Sequence, residues 1–290
     1  MLSYKGLATS LFGKLVDKYS DVFAGVKEAL PKANIRTSFR AYMSTVFLSA
    51  IITYVAILAA SFIMVQLLPL PPEFTVIFVV FVPLASAFGI FVFLILYPSQ
   101  RVNSRKNNIE ANLPFVLMHM GSIMESGIPP LTIFRLIGEF QEYGEIAYEM
   151  KRIVRNMDQF GVDPLSAVRD VAFKSPSNAL KQVLLGIVTA TESGGDVKTY
   201  LKNAGQQALF EWRIKRQRFL EQLSTYAEFY TGLMIAAPLF IVALLAVMNV
   251  ISPSLGSFKI MDLMMLSTYL IIPSMNLAFL VFLRGVEIEI

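Results

Sequence analysis

At 290 residues, with 55% hydrophobic and 16% charged residues, the chain is more apolar than an ordinary soluble domain, whose apolar share is about 45–50%, and a membrane protein is the default. It has no cysteine and a single histidine, His119, which excludes a disulfide framework, a thiolate metal centre and a histidine-rich metal site. The net charge of +4 is modest and suggests no nucleic-acid binding.

Residues 7 to 30 carry Leu11, Leu15, Tyr19, Val22, Phe23, Val26 and Leu30 at a period near 3.6, between Lys14, Asp17, Lys18, Asp21, Lys27 and Glu28. This predicts one amphipathic helix, ended by Pro31, that lies on the membrane surface or docks on the polar part of the chain. The charges interrupt it too often for a span or a signal peptide. Tyr42 to Leu68 is uncharged, and its 27 residues give roughly 40 Å of helix, enough to cross a hydrocarbon core of about 30 Å with tilt. After the break Pro69–Glu73, Phe74 to Tyr97 is again uncharged, with Pro83 and Gly89 inside it. Together the two predict a transmembrane hairpin.

A polar, helix-rich region follows. Asn112 is placed to cap a helix whose Leu113, Val116, Leu117, Met120, Ile123 and Met124 share one face, with Gly127 suited to the left-handed residue past its end. Pro129-Pro130 restarts a second helix through Leu131, Phe134 and Ile137, and Ile146 to Phe160 forms a third stripe closed by Gly161. Asp163-Pro164 and Ser175-Pro176 each read as an N-cap followed by proline, opening a fourth and a fifth helix. Thr191-Glu192-Ser193-Gly194-Gly195-Asp196 ends the fifth and caps a long sixth through Leu201, Ala204, Ala208 and Trp212, interrupted by neither proline nor glycine apart from Gly205. No stretch alternates with period two, so strands are not expected. Two further uncharged segments, Phe229 to Ile251 with Pro238 and Leu263 to Leu283 with Pro273 and Asn276, predict the third and fourth spans.

Lysine and arginine counts set the orientation: seven in residues 1–41, sixteen in 98–229, and only Lys259 in the two short connections. Positive residues favour the cytoplasm, which places both termini and the helical region inside. The organisation expected is an all-α membrane protein in which two transmembrane hairpins flank a cytoplasmic antiparallel six-helix bundle. Its divisions are a cytoplasmic N-terminal segment 1–41, hairpin 42–97, helical domain 98–228, hairpin 229–283 and cytoplasmic tail 284–290.

The residues offer little bond chemistry. There is no Gly-Lys-Ser/Thr phosphate loop, serine elbow or His-Glu-x-x-His helix, so an enzyme is not expected and nucleotide energy has to come from a partner. The spans hold no ionisable group in their cores, which disfavours an ion-coupled transporter. His119, between Met118 and Met120 on a helix, reads as a neutral surface or packing histidine. Gly194 and Asp196 read as a helix stop and an N-cap; Glu192 has no required place in that scheme and is free to meet a partner. The clusters Arg101, Arg105, Lys106 and Arg213, Lys215, Arg216, Arg218 adjoin membrane ends, where anionic headgroups account for them, with acidic protein surfaces as a second target.

The order of these features resembles the type II secretion system F domain family, the platform proteins of type II secretion, type IV pili, tight-adherence pili and archaeal pili or archaella. The likeness rests on Leu113-Pro114 opening a helix that ends in Glu125-Ser126-Gly127, on Thr191 to Asp196 near the end of the helical region, and on the spans that follow directly. The resemblance implies a cell-membrane platform, without cofactor, that touches a hexameric secretion ATPase and pilin-like subunits and couples that ATPase to pilin insertion or extraction. Many members carry two such domains; one here implies pairing with itself or a related platform subunit. The displacement would travel along the sixth helix into the third span. A transport or channel subunit is the alternative.

Overall fold

A computed structural model describes residues 4–67, 77–255 and 258–286, so the expected break Pro69–Glu73 lies outside the described residues. The chain divides into two compact units, Met1–Phe210 and Glu211–Ile290.

In the first unit the expected N-terminal helix is two: α1 (Tyr4–Lys18) and α2 (Ala24–Lys32), joined by a turn in which Val22 N–H donates to Tyr19 O and Ala24 N–H to Asp21 O. Packing explains the difference. Val16 of α1 and Val26 and Leu30 of α2 enter one small core with Met43, and a single straight helix cannot point both sets at that residue. Pro31 sits inside the last turn of α2, and Asn34, at φ +59°, takes the left-handed conformation that asparagine tolerates.

α3 (Phe39–Leu67) and α4 (Val82–Glu125) are the first two of four helices among the described residues that are long and apolar enough to cross a membrane. α4 overturns one expectation: no new helix begins at Asn112. The side chain of Asn112 donates to Asn108 O at 2.9 Å within an uninterrupted helix of 44 residues that contains Pro98 and Pro114. A proline inside a helix deprives the carbonyl four residues earlier of its donor. For Pro98 that carbonyl is Leu94 O, and the Tyr42 hydroxyl of α3 donates to it at 2.8 Å. Phe47 packs on Phe91 one turn away, at 5.4 Å between ring centroids. Tyr42→Phe therefore strands a carbonyl and is expected to lower the stability of the detergent-solubilised chain by about 1–3 kcal/mol. An unchanged denaturation midpoint would show that the carbonyl has another donor.

The rest of the first unit is a set of helices on one core. α5 (Pro130–Glu139), α6 (Glu145–Phe160), α7 (Pro164–Lys174) and α8 (Asn178–Glu192) pack each on the next, and α4 touches α5, α6 and α8. α9 (Val197–Phe229) begins in this unit and continues past Phe210. Leu117, Phe134, Ile153, Val171, Leu184 and Leu201, one from each of these six helices, are all buried in the shared core. Asp163 caps α7 as read, accepting from Ser166 N–H at 3.0 Å. Ser175 does not cap α8; Ser177 does, accepting from Leu180 N–H at 3.3 Å, while Ser175 closes the end of α7. Ser177 is buried and its hydroxyl also donates to Glu110 of α4, which holds the turn onto the core.

The second unit carries the end of α9, α10 (Ala237–Ile251), α11 (Ile260–Leu266) and α12 (Ile272–Val286). Tyr230 donates to Asn276 Oδ1 at 3.0 Å, Asn276 Nδ2 closes on Ile272 O, and Tyr226 and Tyr230 pack on Phe282 and Phe279. The one strand feature among the described residues is a ladder of two residue pairs, Ser254 with Lys259 and Leu255 with Phe258, in the connection before α11.

One device recurs in both units. Wide π-helical turns at Ile77–Phe81, Tyr230–Ala236 and Ser267–Ile271 each end two residues before a proline: Pro83, Pro238 and Pro273. The wider winding makes room for the pyrrolidine ring and the carbonyls it leaves without a donor.

Candidate functional site

The predicted contact residues separate. Arg105 is 1% exposed, so it is an interior residue rather than a docking cation. Its Nε donates to Glu145 at 2.7 Å, one terminal nitrogen donates to Glu149 at 2.7 Å, and the other donates to the carbonyl of Lys32. Glu149 is fully buried, with Arg152 3.5 Å from its second oxygen. Burial pushes the Glu149 carboxyl above its ordinary range, against the opposing pull of Arg105 and Arg152. The Tyr148 ring lies under the Arg105 guanidinium, and its hydroxyl donates to Asn34 at 3.2 Å and accepts from Arg36. The Asn108 side chain accepts from Glu145 N–H at 2.8 Å, at the start of α6. Three pieces of chain thus meet on one guanidinium: the last turn of α2, the middle of α4 and the first turns of α6.

The signal for this cluster was in the sequence. Arg105 stands four residues before Ile109 and eight before Leu113, on the buried face of α4, and Glu145 and Glu149 flank Ile146 at helical spacing. An arginine in line with core residues has to be paired, and two glutamates one turn apart are the matching fork. Arg101 is half exposed and stands 3.5 Å from Glu145, while Lys106 is half-buried on another side of α4.

Glu192 lies at the opposite end of the helical core. It pairs with Arg169 of α7 at 2.7 Å, both side chains nearly half exposed. Glu125, in the other Glu-Ser-Gly turn, pairs with Lys202 of α9 at 2.8 Å. Both turns stop a helix with a left-handed glycine, Gly127 at φ +80° and Gly194 at φ +68°, a conformation that a side chain would strain. Asp196 accepts from the Thr199 hydroxyl and from Lys198 N–H, and those bonds, the hydroxyl first, hold its carboxyl below the usual aspartate range. That cap therefore supports the fold above the ordinary aspartate range and is lost as pH falls through the lowered value. The last turn of α4, the end of α8 and the first turn of α9 thus make one exposed polar end of the domain. At 1.5 Å per residue it stands roughly 42 Å along α4 from Tyr97, the last residue of the uncharged run.

Arg213, Lys215, Arg216 and Arg218 are exposed on the part of α9 that belongs to the second unit. His119 is half-buried, with Nδ1 2.8 Å from the Tyr143 hydroxyl and its ring against Phe140, in keeping with the packing reading. Among the described residues no three acidic, histidine or cysteine side chains gather into a metal site.

Residues 116–245 match the family described as type II secretion system (T2SS), protein F. Two relatives from Methanocaldococcus jannaschii are similar over much of the chain. An uncharacterized protein is 25% identical over 195 residues, covering 66% of this chain and 33% of the relative. Flagella accessory protein J is 23% identical over 217 residues, covering 74% of this chain and 36% of the relative. The chain spans about a third of the length of the curated relatives it matches. No solved structure matches it. Both Glu-Ser-Gly turns, the core between them and the start of the next apolar segment fall inside the matched residues, so this part of the chain is similar to the type II secretion system F domain family.

Proposed function

We propose that the chain is an integral platform of a type IV pilus-like or type II secretion machine, in which a cytoplasmic assembly ATPase acts on the helical domain and pilin-like subunits are inserted or extracted beside the spans. The observation that carries this reading is the continuity of α4. One helix holds an apolar segment able to cross a membrane and, without a joint, the core face from Ile109 to Met124. A load on the far end of such a rod is felt in lipid, because a helix locked into a core moves with it. The loss of Arg105 as a surface cation moves the ATPase contact away from residues 101–106. The proposed contact is the exposed end that carries Glu125, Glu192 and Lys198, with Arg213 to Arg218 left to anionic headgroups. On this reading both termini are cytoplasmic and the chain works paired with a second platform subunit.

The test is co-purification of the cognate assembly ATPase with the full chain from membranes. Reversing Glu192→Arg together with Lys198→Glu is expected to lower recovery at least tenfold while membrane insertion and thermal stability stay unchanged. Undiminished recovery removes the contact from this end. If recovery is lost instead on reversing Arg213, Lys215, Arg216 and Arg218, the contact lies on that stretch of α9.

A further inference from the structure

α1 does not lie across α3 as a surface helix would; it runs along it. Phe12 stacks on Phe47 at 6.2 Å, Val16 and Met43 share one buried cluster, and Asp17 pairs with Arg40 at 3.4 Å. Residue numbers fall on α1 as they rise on α3, so the two helices are antiparallel in close register. Gly13 leaves room for the Arg40 side chain, whose guanidinium would stand 2.7 Å from a Cβ there. Carried on at 1.5 Å per residue, the register sets Tyr4 and Leu7 beside the turn of α3 that holds Ile52 and Val55, well inside its apolar length.

The side of α1 turned away from α3 is apolar as well. Tyr4, Leu7, Leu11 and Leu15 follow one another at helical spacing and are 43–63% exposed. On α3, Ile51, Ile52 and Val55 are exposed as well. Polar groups are withdrawn from the ridge. Between Gly6 and Gly13 there is no charge, and the two hydroxyls in that stretch close on carbonyls of their own helix, Thr9 on Lys5 O and Ser10 on Leu7 O. The hydroxyls of Thr45, Ser49, Thr53 and Ser61 do the same in α3. A medium without water demands such closure and an aqueous one does not. The charges collect at the other end, where Lys14, Asp17, Lys18 and Arg40 stand within one or two turns of the start of α3, and Lys5 alone lies near the N-terminus.

We infer that α1 is embedded in the leaflet at the N-terminal end of α3, its Tyr4, Leu7, Leu11 and Leu15 ridge against lipid acyl chains and Lys14, Lys18 and Arg40 at the level of anionic phosphates. The ridge and the adjoining face of α3 then form one lipid-facing surface, and Lys5, roughly 13 Å along α1 from Lys14, is the one charged side chain that residues 4–13 carry into the leaflet. This inference rests on α3 crossing the membrane and not on any ATPase or pilin, so its outcome is separate from that of the proposed function.

The absence of cysteine makes the experiment direct. Single spin labels at Leu7→Cys, Leu11→Cys, Leu15→Cys and Lys18→Cys, in the full chain reconstituted into phosphatidylethanolamine–phosphatidylglycerol vesicles, report accessibility to oxygen and to a water-soluble nickel chelate. At Leu7 and Leu11 oxygen is expected to dominate, with each four-residue step towards the N-terminus about 6 Å deeper. At Lys18 the chelate is expected to dominate. Chelate access at Leu7 and Leu11 would place the ridge in water and overturn the inference. Low access to both reagents would mean protein cover, such as a second copy of the chain, and would overturn it equally.

Discussion

Arg105→Met is expected to lower the stability of the full chain in detergent by about 3–5 kcal/mol, among the largest effects of any single substitution outside the spans. The cost is not the lost attraction alone. Glu149 is fully buried with Arg105 as its nearest counter-charge at 2.7 Å and Arg152 more distant at 3.5 Å, so removing the guanidinium leaves a buried carboxyl short of its main partner. The carbonyl of Lys32 loses its donor in the same step, so the last turn of α2 loses its tie to Arg105, while Asn34 and Arg36 keep theirs to Tyr148. A companion variant separates these effects: Arg105→Met with Glu149→Leu replaces both charges by apolar groups and is expected to recover much of the loss. If the double variant is no more stable than Arg105→Met, the ion pair is not what holds this region. The pH dependence has a definite sign. The folded-state pKa of Glu149 is raised, so its protonated form favours the folded state, and that contribution is lost as pH rises through the raised value. In Arg105→Met the opposing pull is gone, and stability is expected to climb more steeply on acidification from neutrality towards the ordinary glutamate range.

Gly205→Leu is the second large effect expected, at about 1–3 kcal/mol from overpacking. A Cβ on Gly205 would stand 3.2 Å from the backbone of Leu117 and Met118, and backbone inside a helix cannot step aside as a side-chain tip can. A leucine side chain then has to fit between α4 and α9 where the two helices now approach by their main chains. Gly121 sits on the facing surface, but a Cβ there would meet the Lys202 backbone at 3.6 Å, an ordinary contact. Gly121→Ala is therefore expected to be neutral or to stabilise by up to about 1 kcal/mol through helix propensity. Urea or thermal titration of the two variants side by side checks the contrast, and equal losses from both would mean that the close approach is not confined to Gly205.

Much of the chain was legible as sequence because its signals are local. The starts at Pro130 and Pro164, the glycine stops at Gly127, Gly161 and Gly194, and the Asp163 and Asp196 caps each depend on a few neighbouring residues. What was missed depends on residues distant in the chain. Asn112 has the chemistry of a cap, but α4 continues through it because the stripe Ile109, Leu113, Val116 is already committed to the core. That α4 carries Pro98 within it rests on the Tyr42 hydroxyl bonded to Leu94 O, 52 residues away in sequence. The turn between α1 and α2 follows from Met43, which lies on a third helix. Arg105 looked like the basic edge of a membrane span because Arg101 and Lys106 stand beside it, and only helical phase sets it apart from them.

The wide turns before Pro83, Pro238 and Pro273 bear on how such a rod tolerates changes in length. A π-helical turn holds one residue more than the winding it replaces. Deleting one residue from an ordinary stretch of helix swings everything beyond it by about 100°, bringing a different side of the rod to the lipid. The same deletion within Tyr230–Ala236 or Ser267–Ile271 is absorbed as the turn tightens, and the outward side beyond it stays outward. These places act as slack in an otherwise rigid thread, where the chain can be shortened without turning the helices that follow.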